Sequence, residues 1–439
     1  MRFLKNRCLI SILVFLFSFS LLFATLEDMG VTIDEPYVNR AAGISFVAWL
    51  GVAVEDIAKG DWGHFTSKKV IKEYFPPEYT YHPPFARFLT GITWKLFHES
   101  IGEIRALRLA PALLFSISVA LLFLLVSGSY GVAPGLLASL SLALCPAPFG
   151  HAHLIALDSQ IASMWLITAF CFIKGLHSRR WAVLFAVSAG LAMNTKIHGF
   201  AVPFPLFLWG VLFFRNKILP NALALLIISP LILFLTNPDY WNSPHHLFYF
   251  FDAMWTKGSY QKIATHFLGE RYGFSPPKYY AFFMILISIP PLTLILALCG
   301  AALGSKQEIQ NRLKAPPGRV GLSVFLSLNA LAALGLTLLK NIPIYDGVRL
   351  FLPAFPFVSG LAGVGLFYLI RFLKQEKLKP VVSYGVLLAT LSTSAYSLAK
   401  IHPFELSYFN LFIGACRGQR RPVWNLPTGI ARLRLKWPR

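Results

Sequence analysis

Residues 8–25 read CLISILVFLFSFSLLFAT, an uncharged stretch that begins directly after Arg2, Lys5 and Arg7. A transmembrane helix needs about 20 consecutive apolar residues, because it must cross a hydrocarbon layer about 30 Å thick. No small-x-small cleavage site follows the stretch, so we predict a retained signal anchor rather than a cleaved signal peptide. The N-terminus is then cytoplasmic.

Ten more apolar stretches of similar length follow, which predicts an all-α polytopic membrane protein with about eleven transmembrane helices. The predicted spans are residues 8–25, 107–127, 133–149, 159–176, 181–197, 199–214, 218–236, 281–302, 320–339, 350–370 and 380–399.

The overall composition supports a membrane protein. Hydrophobic residues make up 56% of the 439 residues and charged residues 13%, whereas a soluble domain carries about 25% charge. The net charge of +21 does not indicate nucleic-acid binding, because the basic residues form short clusters between the apolar stretches. That is the pattern of the positive-inside rule.

The basic clusters fall in alternate connections, which we predict to be cytoplasmic. They contain Lys174/Arg179/Arg180, Arg215/Lys217, Lys306/Arg312/Lys314/Arg319 and Arg371/Lys374/Lys377/Lys379. All acidic residues except Glu308 and Glu376 then lie outside. Two outer segments are long, at about 26–106 and 237–280, and loops of that length are usually functional. Polarity concentrated on one surface favours an enzyme over a carrier, which places polar groups inside its spans.

The first outer segment opens with VTIDEPY at residues 31–37. Pro36 suits the first turn of a helix, and 37–54 is apolar enough to lie at the membrane interface. Asp34 and Glu35 are candidate catalytic carboxylates. The alternative is structural, with Asp34 capping the helix and Glu35 favoured by the dipole of its first turn.

Five more residues are predicted at the same membrane face. They are His82 in the His82-Pro83-Pro84 turn before an amphipathic interfacial helix, Asp158 at the mouth of the fourth span, Lys196, Tyr345 and Arg349. A carboxylate at that depth needs a partner or water, and an arginine there can bind phosphate bidentately. For His82 and Lys196 the alternatives are an ordinary interfacial anchor and a snorkelling lysine.

Metal binding and disulfide bonding find little support in the sequence. His151 and His153 have a spacing that allows metal ligation, but no clear further ligands accompany them. The five cysteines, Cys8, Cys145, Cys171, Cys299 and Cys416, are scattered and form no CxxC pair. They are typical of small apolar residues rather than of a disulfide framework. We therefore predict no metal site, although a divalent ion stays an alternative.

In these motifs the chain resembles the GT-C glycosyltransferases. More narrowly, it resembles bacterial relatives of the protein O-mannosyltransferases and of the aminoarabinose transferase of lipid A. The shared motifs run in order: Asp34-Glu35, His82-Pro83-Pro84, Asp158, Thr195-Lys196, Gly347-x-Arg349 with Pro353 and Pro356, and Tyr408-Phe409-Asn410. The resemblance covers residues 1–415, which we treat as one transferase domain.

The resemblance implies an inverting transfer of sugar from a polyprenyl-phosphate donor to an acceptor hydroxyl at the outer membrane face. Asp34 is then the general base, and Glu35 orients the base or the acceptor. Arg349, Lys196 and His82, in that order, stabilise the phosphate, and Asp158 holds sugar or acceptor. The implied partners are membrane lipid, the donor, and a glycan, lipid or protein acceptor. The implied location is the bacterial inner membrane, with the site facing the periplasm.

Residues 416–439 depart from the family pattern, because they contain seven basic and no acidic residues. By the predicted topology this tail is outside. We consider two interpretations, a disrupted reading frame or a true basic tail on an anionic surface. Two functional alternatives also stay open: a carrier or flippase for lipid phosphates, and a membrane scaffold that has lost activity.

Overall fold

The computed structural model describes residues 2–80, 82–252, 265–273, 275–314, 321–339, 342 and 344–413. The predicted basic tail 416–439 lies outside the described residues.

The described chain is mainly helical. Its first half contains α1 (Arg2–Thr25), α2 (Arg40–Lys59), α3 (Trp62–Phe65), α4 (Lys68–Tyr74), α5 (Pro77–Thr80), α6 (Phe85–Ile101), α7 (Glu103–Tyr130), α8 (Val132–Ala143), α9 (Pro146–Ala152), α10 (Leu157–Gly175) and α11 (Arg179–Met193). Its second half contains α12 (Pro203–Phe213), α13 (Leu219–Leu235), α14 (Asp239–Asn242), β1 (Thr265–Phe267), β2 (Glu270–Tyr272), α15 (Tyr280–Ser288), α16 (Pro291–Cys299), α17 (Ser305–Lys314), α18 (Leu322–Gly335), α19 (Ala354–Arg371) and α20 (Leu378–Ile401).

Every predicted span coincides with helix. By length and composition, six helical stretches of the described residues are able to cross a membrane, or seven if α8 and α9 form one bent span. The six are Asn6–Thr25, Arg40–Lys59, Glu103–Tyr130, Pro291–Arg312, Ala354–Arg371 and Leu378–Ile401. Three shorter apolar stretches, Ile197–Phe213, Leu219–Leu235 and Leu322–Leu338, add to them.

Helix α10 carries polar residues near its start and is enclosed by other parts of the protein. Nearly all its side chains are buried, including Ser159, Gln160 and Ser163. Polar residues in a span are tolerated where they face the protein interior rather than lipid. Helix α10 is therefore a central helix of the main core.

Helix α2 belongs to a separate helical unit in the first outer segment. Its Phe46 and Trp49 pack with Phe65 of α3 and Val70 of α4 in an apolar cluster distinct from the main core. It lies close against α6, because a Cβ on Gly91 would lie 2.1 Å from the Gly43 carbonyl oxygen. Residues 37–54 are predicted to lie at the membrane interface, but α2 is also long and apolar enough to cross a membrane.

Two predicted spans are interrupted rather than continuous. The first, 133–149, bends by 61° between α8 and α9, where Cys145 is extended before Pro146. The second, 281–302, breaks between α15 and α16, where Ile289 is extended before Pro290 and Pro291. The residue before a proline is disfavoured in helical geometry, which accounts for both interruptions.

Asn410 closes the second interruption. Prolines 290 and 291 have no N–H, so carbonyls of the preceding turn lose their helical donors. The Asn410 side-chain nitrogen donates to the carbonyls of Leu286 and Ile289, at 2.7 and 2.8 Å. Its backbone N–H donates to the Ile287 carbonyl at 2.7 Å. Asn410 therefore supplies donors that the helix break removes, and the described chain near 410 is anchored to it.

One element departs from the all-α prediction. Strands β1 and β2 pair antiparallel as a short hairpin in the second outer segment, with Thr265 opposite Tyr272. Its two-residue turn has Gly269 at φ +86°, a conformation that glycine adopts at little cost.

The predicted sidedness can be tested by single-cysteine labelling in a background whose native cysteines are replaced. Ser275 and Gln310 are both exposed, and one interrupted span separates them. We expect a cysteine at 275 to react with an impermeant maleimide added outside intact cells, and one at 310 to react only after permeabilisation. Equal labelling at both positions would contradict the predicted topology.

Candidate active site

Arg349 lies at the centre of a cluster of charges drawn from distant parts of the chain. Its Nε donates to Asp158 at 3.1 Å, one Nη to Asp34 at 2.9 Å, and the other Nη to Asp346 at 3.0 Å. Asp34 and Asp158 are 315 and 191 residues away in sequence. The guanidinium fork can satisfy several carboxylates at once because its donors point in fixed, divergent directions.

Asp158 occupies the first turn of α10 and is 1% exposed. Its second oxygen accepts from Lys196, which directly precedes a 3₁₀ turn at Ile197–Ala201. A buried carboxylate is costly unless it is paired and hydrogen-bonded, and Asp158 has two cations. The five charged groups of the cluster, Asp34, Asp158, Asp346, Lys196 and Arg349, comprise three carboxylates and two cations.

Asp34 is the accessible carboxylate of the predicted pair. It stands at the N-cap position of the turn Glu35–Asn39, but its side chain makes no capping hydrogen bond there. Its carboxylate instead pairs with Arg349, and its side chain is 43% exposed. The Asp34 side chain therefore does not cap the helix, which was the structural alternative for this residue.

Glu35 is enclosed by protein. Its carboxylate is 1% exposed and pairs with Arg108 through two hydrogen bonds of 3.0 and 2.9 Å. It also accepts from the backbone N–H of Thr32 at 2.8 Å. A carboxylate so enclosed cannot contact a substrate. Of the two predicted roles of Glu35, orienting the base or orienting the acceptor, only the first fits, because Glu35 holds in place the segment that carries Asp34.

Arg108 binds the same segment with its remaining donors. Its two terminal nitrogens donate to the carbonyls of Leu26, Met29 and Gly30 at 2.7 to 3.0 Å. Together with the two bonds to Glu35, these contacts engage every nitrogen of the guanidinium. Arg108 was not identified from sequence. The signal was present, because an arginine inside the predicted span 107–127 requires a buried partner.

A second contact holds this segment near its start. His402, directly after α20, bonds Asp28 through Nε2 at 3.0 Å and Glu405 through Nδ1. Burial opposes the charged imidazolium, but the hydrogen bonds to both carboxylates outweigh it and raise the pKa of His402 above 6.5. The segment 26–35 is thus fixed to α7 at both ends, through Leu26 and Glu35, and to the chain after α20 through Asp28.

His82 lies on a turn that two contacts attach to the site. The buried Arg87 donates to the His82 carbonyl at 3.3 Å and to the Asn39 side chain at 2.9 Å. The Phe85 backbone N–H donates to the Asn194 carbonyl at 3.0 Å, two residues before Lys196. This contact holds the Pro83-Pro84 turn, which follows His82, against the segment before Lys196.

A cavity of about 650 Å³ adjoins the charge cluster. Its polar lining residues are His82, Lys196, His198, Asp252, Thr337 and Tyr345, and the remainder are Ile197, Phe200, Ala201, Phe251, Leu336, Leu339, Ile342 and Leu350. Burial raises the pKa of Tyr345 to about 12 although Arg349 opposes the shift, so its hydroxyl stays neutral and can donate. The cavity combines a cationic, hydrogen-bonding part with an apolar part.

The two histidines considered as metal ligands are not joined by further ligands. His153 contacts the Thr25 hydroxyl at 2.8 Å and the Phe149 carbonyl at 2.9 Å. His151 is buried near Asp158. Among the described residues, no group of three or more His, Cys, Asp or Glu side chains is arranged to hold a metal ion.

The structure therefore brings together Asp34, Asp158, Lys196, Tyr345 and Arg349, and His82 lines the same cavity as Lys196. Asp346 joins them although sequence reasoning did not select it. Its spacing to Arg349, three residues apart, was the available signal, because it allows an ion pair within one turn.

Three solved structures are similar in fold to this chain. ArnT from Cupriavidus metallidurans bound to undecaprenyl phosphate has a TM-score of 0.52 at 18% identity, over 92% of this chain and 73% of that one. Its apo state has a TM-score of 0.54 at 17% identity, with the same coverage. The third structure is an Archaeoglobus fulgidus oligosaccharyltransferase tethered to an acceptor peptide with the NVT sequon. It has a TM-score of 0.52 at 12% identity, over 91% of this chain and 55% of that one.

A family model matched by sequence agrees with these structural similarities. Residues 81–241 match the family model described as dolichyl-phosphate-mannose-protein mannosyltransferase. No curated protein is significantly similar in sequence to this chain. The chain is an integral membrane protein whose fold is that of these solved structures, which confirms the fold class and the resemblance predicted from the sequence.

The Arg108–Glu35 pair is testable through stability. Arg108→Gln leaves a buried carboxylate without its cation, so we expect the free energy of unfolding to fall by about 3–5 kcal/mol. Arg105 is the matched control, because its pair with Glu27 is 41% and 47% exposed and exposed pairs contribute about 0–1 kcal/mol. Thermal unfolding of the purified protein measures both. Equal effects of Arg108→Gln and Arg105→Gln would contradict the structural role of Arg108.

Proposed function

We propose that this protein transfers a sugar from a polyprenyl-phosphate donor to an acceptor hydroxyl at the outer face of the bacterial inner membrane, with inversion at the anomeric carbon. The observation that carries the proposal is the position of Asp34. It is a solvent-accessible carboxylate within one ion-pair network with Lys196, which lines a largely apolar cavity. A base, a cation and an apolar cavity are what such a transfer requires.

The donor is proposed to bind in the cavity. Its phosphate lies near Lys196, where the Tyr345 hydroxyl and His82 also line the wall, and its prenyl chain lies along the apolar lining. The ArnT structure bound to undecaprenyl phosphate, which has the same fold, supports a lipid of this class. No resident cofactor is required by this scheme.

Lys196 is better placed than Arg349 to contact the phosphate directly. Arg349 is already shared among three carboxylates, whereas Lys196, among the described residues, pairs with Asp158 alone and lines the cavity. This reverses the order inferred from the resemblance, in which Arg349 came first. Arg349 then holds Asp34 and Asp158 in their relative positions and contributes positive charge near the leaving phosphate.

Asp34 is proposed to act as the general base. It takes the proton from the acceptor hydroxyl as the hydroxyl oxygen bonds to the anomeric carbon. The bond between that carbon and the phosphate oxygen breaks, and polyprenyl phosphate leaves with the bonding electrons. Asp158 is enclosed by Lys196 and Arg349, so we assign it to orienting these cations rather than to direct contact with sugar or acceptor.

The general base is tested by Asp34→Asn. The substitution keeps size and hydrogen-bonding capacity but removes the proton acceptor, so we expect turnover to fall by about 10²–10⁴-fold. The assay follows release of polyprenyl phosphate from a panel of polyprenyl-phosphate sugars by purified, reconstituted protein. The matched control is Glu55→Gln, because the Glu55 side chain is 74% exposed and lies outside the cluster.

Each outcome has a distinct meaning. Release by wild type and by Glu55→Gln, but not by Asp34→Asn, supports the transferase. Unchanged release by Asp34→Asn would exclude Asp34 as the base. Donor binding by wild type without release from any donor would favour the carrier or the inactive scaffold.

The phosphate contact is tested by Lys196→Gln. Loss of one charged hydrogen bond corresponds to about a tenfold to hundredfold weaker affinity for polyprenyl phosphate. Titration of the purified protein with polyprenyl phosphate measures this, and Lys278→Gln is the control because Lys278 is exposed and does not line the cavity. A comparable loss of acceptor affinity, or no loss of donor affinity, would argue against this role.

A further inference from the structure

A second cavity lies at the membrane face opposite the charge cluster. The end of α7, the start of α8, the end of α19 and the start of α20 enclose about 450 Å³. Helix α19 connects the two faces, since it begins shortly after Arg349 and ends at Arg371. Its 18 residues correspond to a length of about 27 Å at about 1.5 Å per residue. The second cavity is therefore independent of the proposed catalytic site.

The lining of this cavity is amphipathic. Its apolar wall is formed mainly by Val132, Ala133, Pro134, Phe367 and Ile370. Two basic side chains, Arg371 and Lys379, lie with them. The combination of an apolar wall and two cations matches a ligand that has hydrocarbon at one end and negative charge at the other.

Both cations are available to a ligand. Within the described part of the chain, Arg371 makes no hydrogen bond or ion pair. Lys379 pairs with Glu376, whose side chain is 81% exposed, and an exposed pair of this kind is weak. An anion could therefore engage both side chains without breaking a buried contact.

The wall of the cavity is preformed. The Tyr130 hydroxyl donates to Glu308 at 2.7 Å, and its ring lies 4.9 Å from that of Phe367. Glu308 in turn accepts from the backbone N–H groups of Ser323 and Val324 at 3.0 and 2.9 Å. This network ties α17 and α18 to the end of α7, so a ligand need not order the wall on binding.

We propose that this cavity binds an anionic phospholipid of the adjacent leaflet, with its phosphate between Arg371 and Lys379 and an acyl chain along the apolar wall. Charge complementarity identifies the occupant, because basic pockets between transmembrane helices recognise anionic head groups. The surrounding surface supports a lipid rather than a soluble anion, since Phe372, Val381 and Tyr384 are 68%, 68% and 55% exposed. Apolar side chains so exposed on a membrane protein face hydrocarbon.

The test is native mass spectrometry of the full-length protein in mild detergent, titrated with phosphatidylglycerol or phosphatidylcholine. Wild type is compared with Arg371→Gln/Lys379→Gln and with the control Lys374→Gln/Lys377→Gln. The control removes the same charge from the same connection, but its residues do not line the cavity. We expect the first pair to weaken phosphatidylglycerol binding by about tenfold to thirtyfold, and the control to change it less than about twofold.

A second variant tests the apolar wall without changing charge. Ala133→Phe fills part of the cavity, so it should also weaken phosphatidylglycerol binding. Equal losses from the two charge pairs would overturn the proposal in favour of general attraction to a basic loop. Equal affinity of wild type for phosphatidylglycerol and phosphatidylcholine would also overturn it, as would full competition by soluble glycerol phosphate. Retained monodispersity on size exclusion shows that each variant is folded.

Discussion

The buried ion pair of Arg108 and Glu35 is the interaction on which the arrangement of the site depends. Water cannot solvate either charge, so each is stable only because the other is present. Arg108 also binds three backbone carbonyls between Leu26 and Gly30, which otherwise would lack donors near the membrane. One guanidinium therefore holds the segment after α1 in place. Asp34 lies near the end of that segment, and its side chain stays accessible.

Arg349 differs from Arg108, because it links separate segments of the site to one another, whereas Arg108 holds a single segment. It links the first outer segment, the start of α10 and the connection before α19 through Asp34, Asp158 and Asp346. With Lys196, the unliganded cluster has one more carboxylate than cations. In the proposed function, a phosphate that binds at this cluster exchanges with existing carboxylate contacts, and among the described residues Lys196 would release only Asp158. The proposal therefore assigns the organisation of the cluster to Arg349 and the contact with the phosphate to Lys196.

The sequence predicted the helical membrane architecture well, because long apolar stretches are a strong local signal. It also selected Asp34, Asp158, Lys196, Tyr345 and Arg349, which prove to be neighbours; their catalytic and binding roles stay predictions. It could not separate Asp34 from Glu35, since adjacent carboxylates look alike until one has a buried arginine partner. The helix break at Ile289 was missed although Pro290 and Pro291 are a local signal for it. What the sequence did not show is the residue that satisfies the freed carbonyls, because Asn410 lies more than a hundred positions later.

That distance between the break and Asn410 has a consequence for biogenesis. Membrane helices insert as the chain is synthesised, and a segment with free carbonyls is unfavourable in lipid. The carbonyls of Leu286, Ile287 and Ile289 receive their donors from Asn410, which emerges only after the last three predicted spans. The interrupted segment must therefore wait, shielded by water or by other partners, until nearly the whole domain has been translated. The hydrogen bonds that satisfy this helix break therefore form late in the synthesis of the chain.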